Sequence, residues 1–122
     1  MKKIVLLVED NPKFRKLVAE LIKEQGFRVL EAESKAEALE IIETTHPDVV
    51  LLDIQLPDGC GLDLVDPLKK IDHPQVVALT SYKEYENDAR AKGVDKFVWK
   101  EDLFNFIFTI MMETCRLQRA PA

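Results

Sequence analysis

Apolar residues follow two rhythms that alternate along the chain. Short β-rich runs fall at Lys3 to Val8, Phe27 to Leu30, Val49 to Leu52, Gln75 to Leu79 and Lys96 to Trp99, and each reads as a strand. The unbroken run Val49-Val50-Leu51-Leu52 suits a strand buried on both faces. Between these runs the spacing turns helical. Asn11 as N-cap and Pro12 at the first helical position open a helix that buries Phe14, Leu17, Val18, Leu21 and Ile22 and stops at Gly26. Ser34 and Glu37 form a capping box for a second helix, with Ala38, Leu39, Ile41 and Ile42 inward and His46-Pro47 at its end.

A third helix is expected from about Gly61 to Ile71, with Pro67 inside it. Proline past the first turn costs about 3 kcal/mol, so either the helix kinks or its regular part starts near Asp66. A fourth, about Tyr82 to Lys92, has few anchors, namely Tyr82, Tyr85, Ala89 and Ala91, and Gly93 caps it. A fifth starts near Asp102. Its stripe Leu103, Phe106, Ile107, Ile110 and Thr114 is assigned to the core, and a second stripe runs through Phe104, Phe108, Met111 and Cys115. That second stripe is either an exposed patch for a partner or second subunit, or it is covered by other helices.

This repeated β-α alternation specifies an α/β fold. The expected architecture is a doubly wound (βα)5 three-layer sandwich, with a five-stranded parallel sheet in the order 2-1-3-4-5. In that order strands one and three are neighbours, so Glu9 and Asp10 after the first and Asp53 after the third meet in one crevice. Thr80 and Lys100 end the next two strands on the same sheet edge.

The totals narrow the classes of function. A chain of 122 residues fits one domain with a real core. A net charge of −5 offers no basic surface for nucleic acid. No stretch is long and apolar enough to span a bilayer. Cys60 and Cys115 make neither a disulfide framework nor a metal-site spacing, and a reducing cytoplasm follows as the expected location.

Three carboxylates in one crevice repel one another, and a hard divalent cation resolves the repulsion. Oxygen-only ligands favour Mg2+, or Mn2+, over zinc. Lys100 adds an ammonium and Thr80 a hydroxyl. Taken singly, Lys100 reads as a salt-bridge partner and Thr80 as a helix cap. Gathered at four strand ends, they suit an incoming phosphoryl group, with Asp53 as the nucleophile that forms an acyl phosphate.

Val8-Glu9-Asp10, Asp53 with Leu56-Pro57-Asp58-Gly59, Thr80-Ser81 and Lys100 together resemble the receiver domain of bacterial two-component response regulators, across nearly the whole chain. The resemblance implies a flavodoxin-like receiver fold over residues 1–118, with 119–122 a tail or the start of a linker. It implies that Asp53 takes a phosphoryl group from a sensor histidine kinase or phosphotransfer protein. It implies Mg2+ held by Asp10, Asp53 and the Gln55 main-chain carbonyl, with Glu9 acting through water. It further implies that Thr80 moves toward the phosphate, that Phe97 is the switch aromatic, and that the domain catalyses its own dephosphorylation. The helix 4–strand 5–helix 5 face would then carry the output, as a homodimer contact or toward an effector domain or output protein.

The chain departs from the family after the lysine, where proline is common and Glu101 stands instead. Gln55 and Tyr82 lie two residues past Asp53 and Thr80, and Tyr82 is a candidate to hinder an attacking water. Two rival readings are an aspartyl-phosphate phosphatase of similar fold and a non-phosphorylated docking module. The phosphatase typically needs a second acid where Gln55 stands, and the docking module does not need the full set Asp10, Asp53, Thr80 and Lys100. The expectation is a signalling phosphoacceptor rather than an enzyme, either a stand-alone regulator or the receiver of a longer one.

Overall fold

A computed structural model of the chain describes residues 2–71, 74–103, 105 and 107. Five parallel strands form one sheet: β1 (Ile4–Val8), β2 (Arg28–Ala32), β3 (Val49–Asp53), β4 (Gln75–Thr80) and β5 (Lys96–Trp99). Their order is β2-β1-β3-β4-β5. The doubly wound architecture expected from the alternation, flavodoxin-like as the resemblance implies, is the one observed.

Successive side chains of a strand point to opposite faces, and the core divides accordingly. Val5, Leu7, Val49, Leu51, Val77, Leu79 and Val98 pack with Val18, Ala19 and Ile22 of α1 (Pro12–Glu24) and with Leu103 and Ile107. Leu6, Val8, Val50, Leu52, Val76 and Ala78 face the other way. They meet Ala38 and Ile42 of α2 (Lys35–Thr44), Val65 and Leu68 of α3 (Val65–Lys69) and Ala89 of α4 (Glu86–Lys92). β3 is buried along its whole length because it has a strand on each side and helices above and below. Its register sets Val8 opposite Leu52 and Asp53 opposite Leu79. The ends of β1, β3 and β4 therefore lie side by side.

Several boundaries and core assignments change. β2 begins at Arg28 and reaches Ala32, beyond the expected Phe27 to Leu30, since Glu31 and Ala32 register with Leu7 and Val8 of β1. Leu17 is 52% exposed, not buried: the α1 core stripe runs through Val18, Ala19 and Ile22, and Leu17 falls outside it. Leu39 is exposed for the same reason, because Ala38 and Ile42 make the inward face of α2.

The proline question resolves toward a late regular helix. A 3-10 turn, Gly61–Leu64, precedes α3, so Pro67 is only its third residue. The missing N–H there is one that the first turn leaves without an intrahelical partner. A short hairpin, Gln55–Leu56 against Gly59–Cys60, fills the loop after β3 and was not expected. Helix four also shortens. Tyr82 precedes a 3-10 turn (Lys83–Tyr85), and α4 starts at Glu86. Tyr82 and Ala91 are exposed, which leaves Ala89 as the buried anchor and Tyr85 as a partial one. After β5, a 3-10 turn at Lys100–Asp102 leads into helical Leu103, Asn105 and Ile107. The stripe Phe104, Phe108, Met111 and Cys115, the core positions Phe106, Ile110 and Thr114, and the tail 119–122 lie outside the described residues.

Candidate functional site

The strand ends deliver side chains to one edge of the sheet. Glu9 leaves β1 fully buried, and its main chain is still paired, its amide donating to the Ala32 carbonyl at 2.9 Å. Its Oε2 accepts the Asn11 amide at 3.0 Å and its Oε1 lies 2.7 Å from Lys100 Nζ. Asp10, next in the chain, is exposed. Asp53 ends β3 at 3% exposure. Its Oδ1 accepts the Gln55 amide at 3.1 Å and its Oδ2 lies 3.1 Å from Lys100 Nζ. One ammonium thus bridges two buried carboxylates from different strands. Its third neighbour is the Phe14 ring, whose centroid is 5.3 Å away, a cation–π contact.

The three expected carboxylates are brought together. One carboxylate oxygen from each of Glu9, Asp10 and Asp53 lies within 4.8 Å of the others. Three carboxylates against one ammonium leave the pocket short of positive charge, which displaces its groups from their ordinary ranges. Burial, and then the charge of Glu9, push the Asp53 carboxyl up to about 7 despite Lys100. Burial and Glu9 likewise raise Asp10. Burial opposes ionisation of Glu9 as well, but the Asn11 amide and Lys100 overcome it and hold that carboxyl below its ordinary range. Lys100 is raised: burial disfavours its charge, and its bond to Glu9 and the charge of Asp53 outweigh that. An all-oxygen, electron-rich donor set of this kind fits Mg2+ or Mn2+.

The remaining predicted residues lie on β4, on β5 and in the loop after β3. Thr80 is buried at 2% exposure, and its Oγ1 accepts the Tyr82 amide at 3.0 Å. Phe97 is partly buried on β5, stacked edge-on against Trp99 with centroids 5.5 Å apart. The Gln55 side chain is exposed and donates to the Tyr85 hydroxyl at 3.3 Å, and its amide, as noted, serves Asp53.

Other supports were invisible in the sequence. Arg15 Nη1 donates to the Glu9 carbonyl at 2.9 Å while its Nε bonds Glu31 at 3.1 Å, which fixes the exit of β1. Asp58 accepts the Lys35 and Ala36 amides at 2.9 and 3.0 Å, docking the hairpin on the α2 N-terminus. Lys35 Nζ then pairs with Asp63 at 2.8 Å. Gly61 is required by close approach: a Cβ there would collide with the Asp53 carbonyl, and its amide donates to the Ile54 carbonyl at 2.6 Å. The one available signal was the glycine pair Gly59 and Gly61 just past Asp53.

Known proteins resemble this chain in sequence and fold. The family model of the response regulator receiver domain matches residues 5–107, a span that contains every site residue named above. The polar-differentiation response regulator DivK of Brucella ovis is 36% identical over 105 residues, which cover 82% of this chain and 85% of DivK. A two-component response regulator from Clostridium difficile has a TM-score of 0.87 over 98% of this chain and 100% of its own, at 18% identity, a likeness of fold alone. The response regulator TrrA of Thermotoga maritima, solved in complex with Mg2+-BeF, has a TM-score of 0.82 at 29% identity, over 92% of this chain and 98% of its own.

Proposed function

The chain belongs to the response regulator receiver domains of two-component signalling, and from that premise we propose that Asp53 is its phosphoacceptor. The observation that carries this reading is the single ammonium of Lys100 shared between buried Glu9 and Asp53 at a strand end. An oxygen of the Asp53 carboxylate attacks phosphorus. The bond from phosphorus to the donor breaks, and its electron pair leaves with the donor, the imidazole of a phosphohistidine on a sensor kinase or phosphotransfer protein. The product is an acyl phosphate on Asp53.

Mg2+, or Mn2+, would be held by Asp10, Asp53 and the Gln55 main-chain carbonyl, with Glu9 through water, and supplies positive charge to the phosphoryl oxygens. The chain's own groups do the rest. Glu9 and Phe14 hold Lys100 where its ammonium can follow the new charge. The Thr80 hydroxyl donates to a phosphoryl oxygen, and Phe97 moves with it. The face formed by α4, β5 and the helix after Lys100 passes the change on, to a second copy of the chain or to an effector. α4 suits that role because Ala89 is its one buried side chain.

The reaction ends on the protein itself, so the chain is a phosphoacceptor and not an enzyme with a separate substrate. Gln55, bonded to Tyr85, occupies the position where a phosphatase of this fold needs a second acid. We assign the work to the cytoplasm on cysteine usage, because two cysteines, Cys60 and Cys115, make no disulfide framework. Among the described residues no helix is long and apolar enough to cross a membrane.

Acetyl phosphate with Mg2+, followed by intact mass, tests the assignment. The wild type should gain one phosphoryl group and Asp53→Asn none. Equal labelling of both would refute it.

A further inference from the structure

The segment after Thr80 is tied down by a bond that the chemistry above does not use. Ser81 Oγ donates to Glu101 Oε1 at 2.9 Å. This joins the exits of β4 and β5, one residue beyond Thr80 and one beyond Lys100. Ser81 and Glu101 line one cleft of about 340 Å³ with Asn11, Phe14 and Lys100, so both partners of the bond border the cleft that Lys100 lines. Meanwhile the Thr80 hydroxyl accepts from its own chain, at the Tyr82 amide. Among the described residues, the side-chain hydrogen bonds of Asp53 come from the Gln55 amide and Lys100, and none comes from Thr80.

We propose that the Ser81–Glu101 hydrogen bond is a latch that holds the Thr80 segment in its resting position, making Glu101 a positioning residue for phosphoryl uptake. The inference rests on the reading of Asp53 as acceptor. The reading above moves the Thr80 hydroxyl, which accepts from the Tyr82 amide at rest, toward an oxygen newly attached to Asp53. Thr80 is buried and β-branched, so its side chain has restricted rotamer freedom and we assign the advance to its backbone. Ser81 moves with that backbone. Glu101 does not follow freely, because it belongs to the same 3-10 turn as Lys100, whose side chain is anchored by Glu9 and Phe14. Advance of Thr80 therefore breaks the latch.

An interaction present only in the resting state weakens any ligand that selects the other state, by the factor the interaction is worth. For one exposed side-chain hydrogen bond that factor is about two- to tenfold. The probe is beryllium fluoride with Mg2+, a phosphoryl mimic, titrated while the fluorescence of Trp99 is followed. Trp99 is the sole tryptophan and precedes Lys100.

Ser81→Ala and Glu101→Ala should each tighten beryllofluoride binding about two- to tenfold, and the double variant should gain no more than either alone. Glu101→Gln keeps an acceptor oxygen and should stay near wild type. Identical binding by all variants overturns the latch alone. So does additivity in the double variant, or tightening in Glu101→Gln that matches Glu101→Ala, which would assign the effect to charge. A wild type that binds no beryllofluoride overturns the acceptor reading and the latch with it.

Discussion

Replacing Asp53 by asparagine should make the metal-free fold more stable, by an amount that depends on pH. Asp53 is 3% exposed, and its carboxyl rises from an ordinary 3.8 to about 7 through burial and the charge of Glu9. An acid raised on folding costs stability above its folded value, and the cost vanishes below its unfolded value. At about 1.4 kcal/mol per factor of ten, the cost near pH 8 is about 4 kcal/mol. Asparagine removes the charge but cannot satisfy both the Gln55 amide and Lys100, which returns about 1 kcal/mol. Asp53→Asn should therefore be more stable by about 3 kcal/mol at pH 8 and by less than about 1 kcal/mol at pH 5.

Urea denaturation in chelator at the two pH values measures this difference. Mg2+ should then stabilise the wild type at pH 8 and leave Asp53→Asn nearly unchanged. Equal stabilities at pH 8, a less stable variant, or a gap that ignores pH would refute the reasoning that the pocket is strained by its own charge.

Three further outcomes follow from named contacts. Gly61→Ala should lose about 1–3 kcal/mol in urea denaturation and slow phosphoryl uptake, because the new methyl displaces the Asp53 carbonyl; wild-type uptake would contradict this. Asp58→Ala should lower the urea midpoint at pH 7. The Lys35 and Ala36 amides hold the Asp58 carboxyl below its ordinary range, so its contribution is present above that range and is lost as pH falls; the midpoint gap should shrink toward pH 3. Tyr82→Ala should speed loss of the phosphoryl group, followed as decay of the labelled mass; an unchanged half-life would remove Tyr82 as a barrier to water.

The sheet and the acidic end of the site were legible because both depend on local pattern. The all-apolar run Val49 to Leu52 suits a strand buried on both faces, and the strand order brings Glu9, Asp10 and Asp53 together. What local pattern does not carry is pairing between residues far apart in sequence. Arg15 on the Glu9 carbonyl, Asp58 on the start of α2 and Ser81 on Glu101 are exposed or half-exposed polar side chains whose spacing has no period. Phe14 read as core and does pack, partly buried, against it; that its ring also supports the Lys100 ammonium is a long-range contact with no local signal. Leu17 and Leu39 were misplaced because a stripe two turns wide does not say where its edge meets solvent. The late start of α3 was one of two stated options, and Pro67 alone could not choose between them.

The most direct measurement is to trap the phosphorylated residue. Acyl phosphates are reduced by borohydride, which turns a phosphorylated aspartate into homoserine. After incubation with acetyl phosphate and Mg2+, reduction and peptide mapping should find homoserine at position 53 and at no other carboxylate, with the yield falling sharply in chelator. Homoserine at position 10 or elsewhere, or an unmodified Asp53 in protein that has gained phosphate, would contradict the account.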